Sequence, residues 1–197
     1  MRKLIVSEFL TVDGVMQAPG GPDEDRSGGF EHGGWQMSYH DDTSGKFVVE
    51  GIAGAGGFVL GRKTYEIFAG YWPTAPDEEG AVRDPLNNLP KFIASRTLRN
   101  PLDWNNSSVI EGDLAAGIRN LKTEKGNHLL IIGSGNLAQT LIESDLVDEY
   151  HLMIHPLVLG SGARLFREGN QKRPLELVDV TPTTTGVLLA KYRPSEK

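Results

Sequence analysis

Apolar positions along the chain fall into short runs separated by polar, glycine-rich segments, and the runs have two different periods. Residues 3–10 (KLIVSEFL) are mostly apolar and β-prone, which predicts a central strand. GFVLG at 57–61 predicts a short buried strand, KFIAS at 91–95 another, and SVI within 105–111 a third. LLII ahead of Gly133 and the segment 148–160 (DEYHLMIHPLVLG) predict two more strands, the second of them long. The tail LELVDVTPTTTGVLLAKYRP reads as two antiparallel strands. Helical spacing intervenes. RKTYEIFAGYW predicts a helix ending near Trp72-Pro73, Asp113 caps a helix through Lys122, and a helix follows the glycine turn as far as Ser144. Asp41-Asp42-Thr43-Ser44 offers caps to a helix whose Phe47, Val48 and Ile52 form a buried stripe. PTAPDEEGAVRDPLNNLP reads as a polar loop with room for one helical turn, and residues 11–40 read as irregular. Strands alternating with helices predict an α/β fold with a mainly parallel sheet and an antiparallel C-terminal edge. No repeat and no long linker divides the sequence, so a single domain over residues 1–197 is expected.

Composition narrows the partners. The formal charge is −6, from 26 acidic and 20 basic residues, whereas a nucleic-acid binder needs a concentrated basic surface. No apolar run approaches the ~20 residues of a membrane span. The start MRKLIVSEFL is basic and then apolar, as in a signal peptide, but Ser7 and Glu8 break the apolar part and no small-residue cleavage site follows. There is no cysteine, hence no disulfide and no thiolate metal site, which fits a cytoplasmic chain. His151 and His155 lie four apart on one strand and share a face, but no third metal ligand accompanies them, so they read as structural and no metal is expected.

The chemistry concentrates at turns that follow strands. Gly133-Ser134-Gly135-Asn136-Leu137-Ala138 fits G-x-G-x-x-A, the dinucleotide fingerprint, in which a glycine turn opening a helix points backbone N–H groups at an anion. In a Rossmann fold this turn opens the nucleotide-binding half. Here the chain ends one helix and three strands later, so the phosphate site is retained and the Rossmann name is not. Gly61-Arg62-Lys63-Thr64 is a second such turn, and Ser95-Arg96-Thr97 a third. Three anion-friendly turns at strand ends suit a ligand with several phosphates.

In this order, SEFLTVDGVM, LGRKTYE, KFIASRTL, IIGSGNLAQTL and DEYHLMIHPLVLGSGARLF resemble the dihydrofolate reductase-like superfamily. The resemblance is greatest to the RibD C-terminal domain, the reductase domain of bacterial riboflavin biosynthesis, and to its stand-alone relatives. It implies a three-layer fold, with a central mixed, mostly parallel sheet flanked by helices, and NADPH as hydride donor. It assigns Gly133, Ser134, Gly135, Asn136 and Leu137 to the pyrophosphate. Gly61, Arg62, Lys63 and Thr64 go to the adenosine side, and Ser95 and Arg96 to the ribose 2′-phosphate. The turn Val12, Asp13, Gly14 goes beside the nicotinamide, although Asp13-Gly14 is also an ordinary tight-turn pair. The sequence departs from the riboflavin reductases where they carry an acid shortly before the glycine turn; Leu130-Ile131-Ile132 stands there.

The implied activity is NADPH-dependent reduction of a small heterocycle, of the 5-amino-6-(5-phosphoribosylamino)uracil reductase or dihydrofolate reductase type. The alternative is a non-catalytic nucleotide-binding or interaction protein that keeps the cleft. Asp42 is the expected proton-supplying or substrate-orienting acid, its pKa raised by burial under the aromatic insertion, although a helix cap explains the same residue. Trp35, Tyr39 and Tyr65 are the expected aromatic lining for a flat substrate, and residues 20–40 are expected to close over it. The apolar strand at 150–159 and GVLLAKY predict a homodimer.

Overall fold

The computed structural model describes residues 1–169 and 171–195. It has eight strands in one mixed, mostly parallel sheet, with helices flanking it. The strands are β1 (Leu4–Thr11), β2 (Gly57–Gly61), β3 (Lys91–Ala94), β4 (Ser107–Val109), β5 (Leu129–Ile132), β6 (Glu149–His155), β7 (Leu175–Pro182) and β8 (Leu188–Pro194). The helices are α1 (Asp42–Ala53), α2 (Arg62–Tyr71), α3 (Gly80–Asn88), α4 (Leu114–Thr123) and α5 (Gly135–Glu143). The described residues group into two compact units, Met1–Val6 with Val48–Asp148, and Ser7–Phe47 with Glu149–Lys197. β1 and α1 contribute residues to both.

The first unit is a parallel sheet ordered β4-β3-β2-β5. β2 and β5 are buried on both sides, so they read as continuous apolar runs instead of alternating ones, whereas β3 alternates and the edge strand β4 is only partly buried. Alternate residues serve opposite faces. Phe58, Leu60, Ile93 and Leu130 pack with Ile5, with Ile52 of α1, Tyr65 of α2, Leu86 of α3 and Trp104. Val59, Leu129 and Ile131 are fully buried on the other face, where α5 lies against β2. The register pairs Gly61 with Ala94, and Val59 with Ile131, so β2, β3 and β5 end side by side.

The second unit holds the antiparallel set β6-β8-β7. Its long irregular segment builds a small core of its own, with Val15, Ala18, Phe30 and Trp35 packed against Phe9, Leu157 and Leu159. Gln17 ties this segment down. Its amide nitrogen donates to the Asp25 and Ser27 carbonyls, at 3.2 and 2.9 Å, and its amide oxygen accepts from Ala163 N at 2.9 Å.

Two elements differ from the pattern read in the sequence. The polar loop expected after Pro73 contains α3, a full helix, because Val82 and Leu86 lie four apart and pack on the first unit's core. Pro85 costs that helix one backbone bond without ending it. β6 stops at His155 instead of running to Gly160. Pro156 has no N–H to continue the ladder, and Leu157 N turns back onto the His155 carbonyl at 2.7 Å.

Candidate functional site

Of the five α-helices two are capped by acids, and α3, which follows Glu79 directly from a 3-10 turn, has no side-chain cap. Asp113 accepts from Ala116 N at 2.8 Å at the start of α4. Asp41 accepts from Ser44 N at 2.8 Å at the start of α1, while Ser44 Oγ accepts from Asp41 N at 3.0 Å. α2 and α5 begin differently. Gly61 precedes α2 and Ser134 precedes α5, and neither side chain caps its helix. Their first-turn N–H groups carry the positive end of the helix dipole at the ends of β2 and β5, the arrangement that receives anions.

One hydroxyl joins these two turns. Ser134 Oγ accepts from Gly61 N at 2.9 Å and points its proton toward Thr64 Oγ1, at 3.0 Å, or the Ile132 carbonyl, at 3.2 Å. Gly133 and Ser134 both adopt left-handed backbone, with φ of 58° and 64°. Glycine suits position 133 for a second reason, since an added Cβ would meet Thr64 Oγ1 at 3.1 Å. Ser134 holds its left-handed conformation without glycine's freedom, a strain of roughly 1–2 kcal/mol.

The third turn lies at the end of β3. Ser95 Oγ accepts from Thr97 N and Leu98 N, at 3.1 and 3.0 Å, so it shapes the turn. Arg96 beside it is exposed, and its guanidinium makes no ion pair among the described residues. Arg62 instead pairs with Glu66 along α2 at 3.0 Å. Gly61, Arg62, Lys63, Thr64, Ser95, Arg96, Gly133, Ser134, Gly135, Asn136 and Leu137 therefore all occupy the strand-end turns of the first unit. Leu137 is buried.

In the second unit, Asp13 is a clamp. Its carboxylate accepts from Thr11 Oγ1 at 2.6 Å, Leu159 N at 3.2 Å and Gly160 N at 2.8 Å, and Arg164 lies 3.6 Å away. These bonds, the Thr11 hydroxyl foremost, hold its pKa down at about 2. Gly14 takes φ +80° and closes the turn, leaving Val12 64% exposed. Trp35 is buried and its indole N–H donates to the Gln17 carbonyl at 2.8 Å. Tyr39 is half-buried, and its ring meets His155 edge to face, with centroids 5.6 Å apart.

Two expectations need correcting. Asp42 is exposed at the first position of α1 and is not buried under the aromatic insertion. Asp41, one residue earlier, makes the organised contacts, with Ser44 on one oxygen and Thr184 N and Oγ1, at 2.9 and 2.7 Å, on the other. The bond from Ser44 N and those from Thr184 hold the Asp41 carboxyl well below the usual range. The D-x-x-S spacing of a cap was the available signal, and it points to 41. Tyr65 is 5% exposed inside the first unit's core, with Trp104 N donating to its hydroxyl at 3.4 Å, so it offers no open face to a substrate.

The chain belongs to the RibD C-terminal domain family, whose model matches residues 2–189. Among curated proteins it is similar to YyaP, an uncharacterized protein of Bacillus subtilis (strain 168), with 32% identity over 136 residues, covering 68% of this chain and 71% of YyaP. It is also similar to the uncharacterized protein YwjB of the same strain, with 29% identity over 119 residues, covering 60% of this chain and 63% of YwjB. Two crystal structures share the fold. One, from Shewanella sp. PV-4 and named as a candidate riboflavin biosynthesis protein, aligns with a TM-score of 0.73 at 22% identity, over 98% of this chain and 99% of its own. The other, a pyrimidine reductase-like protein from Corynebacterium diphtheriae, aligns with a TM-score of 0.66 at 14% identity, over 100% and 93%.

Proposed function

We propose that the protein is an NADPH-dependent reductase of a small heterocycle, either pterin-like or an aminopyrimidine bearing a ribosylamino group. Membership of the RibD C-terminal domain family supports the reductase class. The observation that carries the cofactor assignment is the pair of uncapped helix starts, α2 and α5, held together by Ser134 Oγ. In this reading the N–H groups at Gly135 and Asn136 receive the pyrophosphate. Thr64 and Lys63 serve the adenosine side, and the exposed Arg96 guanidinium pairs with the 2′-phosphate. Bound NADPH would supply the hydride. The chain's own tasks are then to hold the acceptor flat, to exclude water and to provide a proton. The turn of Val12, Asp13 and Gly14 is rigid because Asp13 clamps it, and its backbone would serve the nicotinamide end. Trp35 and Tyr39 would contribute to the acceptor site, and Asp42 would be the exposed acid available as proton source.

A second copy of the chain is the proposed partner. β7 is an edge strand exposed along nearly its whole length, with Leu177, Val178 and Val180 about half exposed. The proposed location is the cytoplasm; no helix among the described residues is long and apolar enough to cross a membrane.

The test is NADPH oxidation followed with a panel of pterins, aminopyrimidines and quinones. Turnover of a pterin or an aminopyrimidine supports the reading. Tight NADPH binding with no turnover of any acceptor would favour a nucleotide-binding protein that has lost the chemistry.

A further inference from the structure

His155 is the last residue of β6 and is 3% exposed. Its Nδ1 lies 2.9 Å from the Met153 carbonyl and 3.2 Å from the Leu10 carbonyl. Carbonyl oxygens only accept, so Nδ1 carries the proton, and Nε2 of the neutral ring is left as an acceptor. Burial lowers the pKa of this imidazole, the two carbonyls opposing it, and the ring stays neutral at pH 7. Among the described residues, no donor reaches Nε2. The nearby indole N–H of Trp35 is already committed to the Gln17 carbonyl.

The surroundings of this nitrogen are aromatic. Trp35 meets the imidazole edge to face with centroids 5.1 Å apart, Tyr39 at 5.6 Å, and Phe9 lies tilted at 5.8 Å. Phe9 and Tyr39 are only half-buried, so the group reaches the surface of the second unit. Although the residue is almost wholly buried, Nε2 is not among the fully enclosed side-chain atoms left without a partner, so this acceptor has access to the surface of the second unit. Here one nitrogen is fixed by backbone and the other stands open among flat rings.

We infer that His155 Nε2 accepts a hydrogen bond from a ring N–H of the heterocyclic substrate, which lies flat against Phe9 and Tyr39. This rests on the reductase reading for the identity of the heterocycle, and it makes His155 the residue that selects for a ring N–H. It also explains the two backbone carbonyls on Nδ1. They lock the tautomer that keeps Nε2 free to accept.

The probe is 5,6-diaminouracil, with 5,6-diamino-1,3-dimethyluracil as the matched compound lacking both ring N–H groups. Each is titrated by calorimetry into the unaltered protein and into His155→Asn, whose amide can still donate to the two carbonyls but does not reach the Nε2 position. The expected result is binding of 5,6-diaminouracil weakened at least tenfold in H155N, with unchanged NADPH affinity. On the unaltered protein, 15N NMR of the imidazole should show Nε2 shifting upfield with 5,6-diaminouracil and not with the dimethyl compound. This measurement decides the matter if H155N does not fold. Equal binding by H155N and the unaltered protein, no binding to the unaltered protein, or an unmoved Nε2 resonance would overturn the inference. If NADPH still binds in those cases, the reductase reading survives. If Nε2 responds but NADPH does not bind, the inference stands and the cofactor assignment falls.

Discussion

Replacing Ser134 with alanine removes one oxygen from the junction of two helix starts, and the structure sets what should follow. The Gly61 N–H loses its acceptor at 2.9 Å, and Thr64 loses a partner at 3.0 Å. Leaving a partly buried donor unmatched costs about 1–3 kcal/mol. For a chain of this size about 1 kcal/mol moves Tm by about 2–4 °C, so a fall of roughly 2–12 °C is expected. Ser134→Gly loses the same hydrogen bonds but relieves the left-handed strain at φ 64°. Glycine should therefore be more stable than alanine at this position by about 1 kcal/mol, after its greater freedom in the unfolded chain is counted. Both variants uncouple the turn after β2 from the turn after β5, and NADPH affinity should fall by about tenfold, equivalent to about 1.4 kcal/mol. Urea denaturation and calorimetric NADPH titration read the two effects separately. If S134A matches the unaltered protein in both, the hydroxyl does not organise the turns. If S134A is more stable than S134G, the left-handed geometry assigned to Ser134 is wrong.

Lys91 is fully buried, with Nζ donating to the Leu86, Asn87 and Leu89 carbonyls and lying 4.4 Å from the Trp104 ring centroid, so Lys91→Met should destabilise by about 2 kcal/mol in urea denaturation at pH 7. Burial lowers its pKa to about 8, so between there and the ordinary value of 10.5 the unfolded chain binds more protons; the stability of the unaltered protein relative to Lys91→Met should rise as pH increases through that window, and a flat difference would refute the shift. Asp42→Asn should leave Tm unchanged, because Asp41 makes the cap, and should lower the reduction rate if Asp42 supplies the proton; an unchanged rate from pH 5 to 8 removes it from the chemistry. Light scattering at micromolar concentration should give about twice the 21.5 kDa of one chain, and Val178→Lys on the exposed β7 should shift it toward the single chain; a monomeric unaltered protein would contradict the partner assignment.

Much of the first unit was legible because its signals are local. The bounds of β2, Gly57–Gly61, follow from an apolar run between glycines, and Asp113 caps α4 where its spacing places it. The glycine turn after β5 declares its own left-handed backbone at Gly133. α3 was hidden because Pro85 and a cluster of acids mask the two residues, Val82 and Leu86, that pack it. The end of β6 was hidden because PLVLG is as apolar as the strand before it, and only the missing N–H of Pro156 stops the ladder. The aromatic group of the second unit was the least legible. Phe9, Trp35, Tyr39 and His155 are far apart in sequence, and their meeting depends on a loop that folds around Gln17. The Asp41-Asp42 pair shows how fine the margin is. Either could cap, and only the closed contacts to Ser44 and Thr184 assign the cap to Asp41.

Calorimetric titration of the unaltered protein with NADPH and with NADH, repeated on Arg96→Ala, tests the cofactor assignment most directly. Pairing of the free guanidinium with a 2′-phosphate is worth roughly 1.5–3 kcal/mol, or about tenfold or more in affinity. NADPH should bind at least tenfold more tightly than NADH, and Arg96→Ala should abolish that preference while leaving NADH nearly unchanged. Equal affinity for the two cofactors, or no heat from either, would contradict the assignment of these turns to NADPH.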